Sequence, residues 1–154
     1  MQQKGKEGCL KHWIASLLVV VCAAVHAQST PSIALEHLSK VSMFAFGGVG
    51  FAGMTSEGEK DLRVLLSQPA PDALASLETV YGQGTLAAKG YAVAGIRTLD
   101  EKRSKELIKP LESSQQKVLT MHGCMMESTT MAIIATSIDS GNYDSRLKAL
   151  DRPQ

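Results

Sequence analysis

The apolar run near the N-terminus is the feature that most constrains the fold, because its nature determines which residues belong to the folded domain. Residues 13–25 are almost entirely apolar, follow three lysines between positions 4 and 11, and lead into Val25-His26-Ala27. A run of about 12 residues is shorter than the roughly 20 that a bilayer-spanning helix needs. Small residues at Val25 and Ala27 suit signal peptidase, so we predict a secretory signal peptide over residues 1–27. The alternative is an uncleaved N-terminal anchor.

Removal of this segment changes the composition of the chain that folds. The whole sequence has 16 Lys+Arg against 15 Asp+Glu, and three lysines and one glutamate leave with residues 1–27, so the formal charge falls from +1 to −1. Cys9 and Cys22 leave as well, and Cys124 remains alone. We therefore expect residues 28–154 to form one soluble domain, with an ordered core over about 33–150, held by core burial without an internal disulfide.

Short amphipathic segments, separated by glycine and proline, follow one another along the chain. Each has apolar residues three or four positions apart and begins at a residue that can cap a helix. These capping residues are Ser32, Thr55 or Ser56, Asp72, Thr85, Asp100, and Ser128 or Thr129. We predict an all-α fold of about six short helices packed as hairpins, with a HEAT-like arrangement as one form of it. The small residues of 86–97 favour a central helix, and 118–121 is predicted to be a short extended segment.

A glycine-rich stretch, residues 46–53, contains the spacing G-x-G-x-x-G. In dinucleotide-binding folds such glycines let the backbone approach a pyrophosphate at a helix N-terminus. That fingerprint needs a strand–helix–strand unit, whereas the next elements here are predicted to be helices. We interpret the stretch as a flexible or close-packed turn, and the alternative is a nest of backbone amides for an anion.

The segment 121–126 concentrates soft metal donors. Thioether, imidazole and thiolate groups suit copper(I), so Met121, His122, Cys124 and Met125 are candidate ligands. Methionine and free cysteine are also common in cores, which favours packing. Cys124 could instead act as a nucleophile with His122 as its base, or form a disulfide between two chains. We expect no resident cofactor or metal.

Two stretches, 46–59 and 120–124, together resemble a group of exported bacterial proteins of uncharacterised function. The resemblance covers about residues 44–126 and implies no activity, cofactor or substrate. It marks one structural or binding constellation, whose members are Gly48, Gly50, Gly53, Ser56, Glu59, Gly123 and Cys124.

The charge and composition exclude some functions and favour another. A formal charge of +1, with no basic stripe, argues against nucleic-acid binding. No catalytic constellation is visible, so we predict a periplasmic or extracellular protein that binds an unknown protein partner and is not an enzyme. An immunity or inhibitor protein is one form of this hypothesis. The alternatives are a copper or redox protein using residues 121–126 and an enzyme with Cys124 as nucleophile, and a homodimer is left open.

Cleavage of the signal peptide is testable. Expression of the full chain in a bacterium with a Sec pathway should yield a product whose N-terminal residue is Gln28, because signal peptidase accepts small residues at the −1 and −3 positions. Intact-mass measurement identifies the product. A mature protein that still begins at Met1 would contradict the prediction.

Overall fold

The computed structural model describes residues 30–148, and these residues form seven helices and five short strands. The helices are α1 (Pro31–Lys40), α2 (Glu57–Leu66), α3 (Ala70–Gln83), α4 (Leu86–Leu99), α5 (Glu101–Glu112), α6 (Met131–Asp139) and α7 (Asp144–Lys148). The strands are β1 (Met43–Phe44), β2 (Gly48–Val49), β3 (Met54–Thr55), β4 (Lys117–His122) and β5 (Met125–Thr130). The predicted signal peptide lies outside the described residues.

The fold is mixed α/β, so the all-α and HEAT-like predictions are wrong. One sheet has the order β1-β4-β5, with β1 parallel and β5 antiparallel to β4, and a second sheet is the β2–β3 hairpin. The extended segment expected at 118–121 lies within β4. The sequence does not predict its partner β5, because Ser128 and Thr129 are also residues that cap helices. Instead they pair with Leu119 and Val118, and α6 begins only at Met131.

Helix starts are predicted correctly where a side chain caps the helix. Ser56, Thr85 and Asp100 each precede a helix and accept a hydrogen bond from the backbone three residues on. The predictions at Ser32 and Asp72 are wrong, because α1 begins at Pro31 and α3 at Ala70. Proline is favoured in the first turn of a helix, and at both sites it extends the helix ahead of the polar residue.

Helix α4 is the centre of the core, as its small residues predicted. All but one of the residues from Ala87 to Ile96 are buried. Because Gly90 and Gly95 have no side chains, neighbouring side chains approach the helix closely there. Phe44 packs against Gly90, and Leu62 packs against Gly95. Four aromatic rings pack with centroids 4.7–5.4 Å apart: Phe44, Phe46, Tyr91 and Tyr143. This packing holds β1 and the following residues, 45–46, against α4. Among residues 30–148, no helix has the length and apolar character needed to cross a membrane.

Gly58 offers a test of the packing around α4. A Cβ added to Gly58 would lie 2.5 Å from Cε2 of Tyr91. We expect Gly58→Ala to lower the free energy of unfolding by about 1–3 kcal/mol, because the Tyr91 ring is hydrogen-bonded and cannot withdraw freely. Denaturant titration measures the change.

The matched control is Gly82→Ala in α3. An added Cβ there meets nothing within 4 Å, so the intrinsic preference of alanine for helices should raise stability by up to about 1 kcal/mol. Equal effects of the two substitutions would contradict the packing account.

Candidate functional site

The glycine-rich stretch forms a β-hairpin with an aromatic residue at its tip. Strands β2 and β3 pair antiparallel, and the turn between them is closed by a 3.1 Å hydrogen bond from the Gly53 N–H to the Gly50 carbonyl. Gly50 has φ +70°, a conformation that side-chain-bearing residues seldom adopt. Phe51 occupies the next position in the turn and is fully exposed. The glycines of the G-x-G-x-x-G spacing therefore belong to a hairpin rather than to a strand–helix nucleotide loop.

The second hairpin joins β4 and β5 through a two-residue turn, Gly123-Cys124. His122 pairs with Met125 across the turn, and Gly123 has φ +55°. Glycine at the first turn position is typical of the tight turns whose twist matches that of antiparallel strands. Cys124 follows it and is exposed.

The two hairpins are bonded to each other at their ends. The Gly50 N–H donates a 2.8 Å hydrogen bond to the Gly123 carbonyl, and Val49 forms a parallel bridge with Gly123. We call residues 50–54 and 123–126 the paired tip. It carries four exposed large hydrophobic side chains: Phe51, Met54, Met125 and Met126.

The base of the first hairpin is held by a buried network around Tyr91. The Tyr91 hydroxyl accepts a hydrogen bond from the Ala45 N–H (2.8 Å) and donates one to the Ala45 carbonyl (2.7 Å). Ser56 Oγ donates to the same carbonyl at 2.6 Å and lies 3.1 Å from the Tyr91 oxygen. Burial raises the pKa of Tyr91, against the opposing effect of its hydrogen bonds to Ser56 and Ala45, so the phenol stays protonated and able to donate.

A buried carboxylate completes this network. Glu59 is 1% exposed, and its Oε2 accepts a 2.7 Å hydrogen bond from the Gly47 N–H. Its Oε1 accepts hydrogen bonds from Arg63 Nη2 at 2.6 Å and Nε at 3.2 Å, four residues further along α2. We call Ala45, Gly47, Ser56, Glu59 and Tyr91 the buried anchor, because together they clamp both ends of the hairpin.

The constellation singled out from the sequence is thus divided between two places. Gly48 lies in β2, and Gly50, Gly53, Gly123 and Cys124 lie at the hairpin ends. Ser56 and Glu59 instead lie in the buried anchor beneath them.

Sequence reasoning missed Tyr91 as a member of this site. Tyr91 lies within the predicted central helix, and its phenol is the available signal, since a buried tyrosine hydroxyl needs a hydrogen-bond partner.

The candidate copper ligands are spread over two faces of one hairpin. Opposite residues of an antiparallel pair share a face, so His122 and Met125 lie on one side of the sheet, and Met121 and Met126 on the other. Cys124 is in the turn between them. Across residues 30–148, no group of three or more His, Cys, Asp or Glu side chains is placed to hold a metal ion.

A groove of about 430 Å³ lies beside the paired tip. It runs between the end of α1, strand β1, the β2–β3 hairpin and the start of α2, and its apolar lining includes Val41, Met43, Val49 and Met54. The tip therefore combines a projecting aromatic ring with an adjacent apolar depression.

Comparisons of the chain with protein-family models, with curated proteins and with solved structures found no match. The resemblance to exported bacterial proteins stays a prediction.

Glu59 tests whether the buried anchor stabilises the fold. Glu59→Ala removes the acceptor of the Gly47 N–H and the partner of Arg63, and we expect the free energy of unfolding to fall by about 2–3 kcal/mol. Glu57→Ala is the matched control, since its side chain is 81% exposed and its loss should change stability by about 0.5 kcal/mol or less. Similar losses for both variants, in urea titration, would count against the anchor.

Proposed function

We propose that this protein is exported and acts by binding a protein partner through the paired tip. The observation that carries the proposal is Phe51, a fully exposed aromatic side chain on a turn whose ends are clamped by buried hydrogen bonds. Phenylalanine and methionine are enriched in protein–protein interfaces relative to the rest of a protein surface. The predicted signal peptide supports export.

The clamping of the hairpin favours binding for an energetic reason. A mobile loop loses conformational entropy when it binds, whereas a loop already held in place loses less. The hairpin is held at Gly47 by Glu59, at Ser56 by Ala45, and at Gly50 by the Gly123 carbonyl. A rigidly presented aromatic ring is typical of the side chains that dominate binding interfaces.

The shape of the surface indicates the kind of partner. Phe51 projects, so the partner should offer a concave apolar pocket, and the groove beside Met54 should receive a projecting group in return. Insertion of such a turn into a cleft would block that cleft. This supports the more specific form of the proposal, an inhibitor or immunity protein that occupies the active site or binding cleft of its partner.

Phe51→Ala tests the proposal directly. Immobilised protein should capture a stoichiometric partner from an envelope or culture-medium extract of the organism that makes it. We expect Phe51→Ala to weaken the affinity for this partner at least about tenfold, since truncation of a central aromatic typically removes 2 kcal/mol or more. Biolayer interferometry with the purified partner gives the dissociation constant.

Ile33→Ala is the control for a general loss of apolar surface. Ile33 is 46% exposed on α1 and lies outside the paired tip, so its truncation should leave the affinity unchanged. Capture of no partner by the wild-type protein, or equal binding by the Phe51 variant, would refute the proposal.

A further inference from the structure

Among residues 30–148, strand β5 leaves one edge of the three-stranded sheet open. The strand order β1-β4-β5 places it last, and within residues 30–148 it pairs only with β4. Residues 125–128 are all exposed. A terminal strand of this kind presents a row of backbone N–H and C=O groups that can pair with another extended chain.

The register identifies the backbone groups that face outward. Residues flanking a two-residue hairpin turn form a hydrogen-bonded pair, which here is His122 with Met125, and such pairs alternate with non-bonded pairs along the ladder. Met125, Glu127 and Thr129 therefore direct their N–H and C=O groups toward β4. Those of Met126 and Ser128 point away from β4, along the open edge.

This edge lacks most of the devices by which proteins block unwanted pairing. Edge strands are usually protected by lysine, by proline, by a bulge or by being very short. The six residues of β5, Met-Met-Glu-Ser-Thr-Thr, contain no lysine or proline, and all six pair with β4 in unbroken register. Glu127 is the one charged residue on the strand.

We propose that the open edge of β5 accepts an extended segment of the partner protein, with a basic residue opposite Glu127. The inference rests on the proposed function and adds the mode of recognition. In strand addition of this kind, main-chain hydrogen bonds supply affinity and alternate side chains supply specificity. The partner's main chain would pair with Met126 and Ser128.

Charge complementarity favours a basic partner segment opposite Glu127. Opposite charges on directly facing residues of neighbouring strands stabilise a sheet, and like charges destabilise it. A second copy of this chain, paired antiparallel about Glu127, would set two glutamates against each other. A lysine or arginine of another protein would instead form a favourable pair there.

The surface beside Glu127 suits a basic side chain. A cleft of about 230 Å³ lies on the same face of the sheet, between β4, β5 and α6. Glu127, His122, Ser137, Phe46 and Tyr143 are among its lining residues, and the described part of its wall contains no lysine or arginine. Aromatic rings and a carboxylate together can hold the aliphatic stem and the charged end of a lysine or arginine.

Defined peptides test the edge without the natural partner. The probes are capped hexapeptides that alternate valine with threonine and carry lysine, norleucine or glutamate at one central position. Titration into the purified ¹⁵N-labelled protein should give saturable binding of the lysine peptide, with the largest amide shifts at Met126 and Ser128. We expect the glutamate peptide to bind at least about tenfold more weakly.

Two kinds of variant separate backbone pairing from charge. Ser128→Pro removes an outward N–H and should weaken binding of the lysine peptide about tenfold or more, while Ser128→Ala keeps the N–H and should change it less than about twofold. Glu127→Lys leaves every backbone group in place and should reverse the preference, so that the glutamate peptide binds better. Its result is decisive even where Ser128→Pro disturbs folding.

The inference would be overturned if no peptide bound saturably at millimolar concentration, if the amide shifts mapped away from β5, or if the three peptides bound equally well. A dimer of the chain that Ser128→Pro dissociates would assign the edge to a second copy and overturn it as well. The result is distinguishable from failure of the proposed function, because the peptides do not depend on Phe51. If Phe51→Ala abolishes binding of the natural partner but no peptide binds to β5, the proposed function is supported and only the inference of strand addition is refuted.

Discussion

The Tyr91 hydroxyl is the interaction on which the arrangement of the surface depends. Tyr91 belongs to α4, the buried helix at the centre of the core, so any group bonded to it has a fixed place relative to the core. Through Ala45 it positions the chain that enters the glycine-rich hairpin, and through Ser56 the chain that leaves it. Glu59 adds a hydrogen bond at Gly47. A hairpin clamped at both ends has little freedom to fold back and bury Phe51.

The same architecture explains why the two proposed binding features lie close together. Strand β4 connects them. The turn after β4 contains Gly123, whose carbonyl accepts a hydrogen bond from Gly50 of the Phe51 hairpin. Strand β4 also pairs with β5, whose outer edge is open in the described residues. A partner whose pocket encloses Phe51 and whose extended segment pairs with the edge of β5 would contact both hairpins at once. Cys124 is exposed at the turn that joins β4 to β5.

The sequence was a good guide to helices and a poor guide to strands, for physical reasons. Side-chain caps at Ser56, Thr85 and Asp100 are local signals, so they predicted the helix starts correctly. Strands β1, β2 and β3 have two residues each, too few to show alternation. Strand β1 also depends on a partner distant in the chain, as in the pairing of Met43 with Leu119. The site was partly visible: the glycines, Ser56 and Glu59 were singled out. Their separation into a surface tip and a buried anchor depends on Tyr91, whose role only the three-dimensional contacts reveal.

Amide hydrogen exchange at Gly50 tests most directly whether the buried anchor holds the paired tip. In the wild-type protein the Gly50 N–H should exchange at least about tenfold more slowly than in an unstructured peptide, because it is bonded to the Gly123 carbonyl. Tyr91→Phe keeps the ring and removes the hydroxyl, and should accelerate this exchange about tenfold or more while amides at the centre of α4 stay protected. An unprotected Gly50 amide in the wild type, or the same exchange rate in both proteins, would contradict the account.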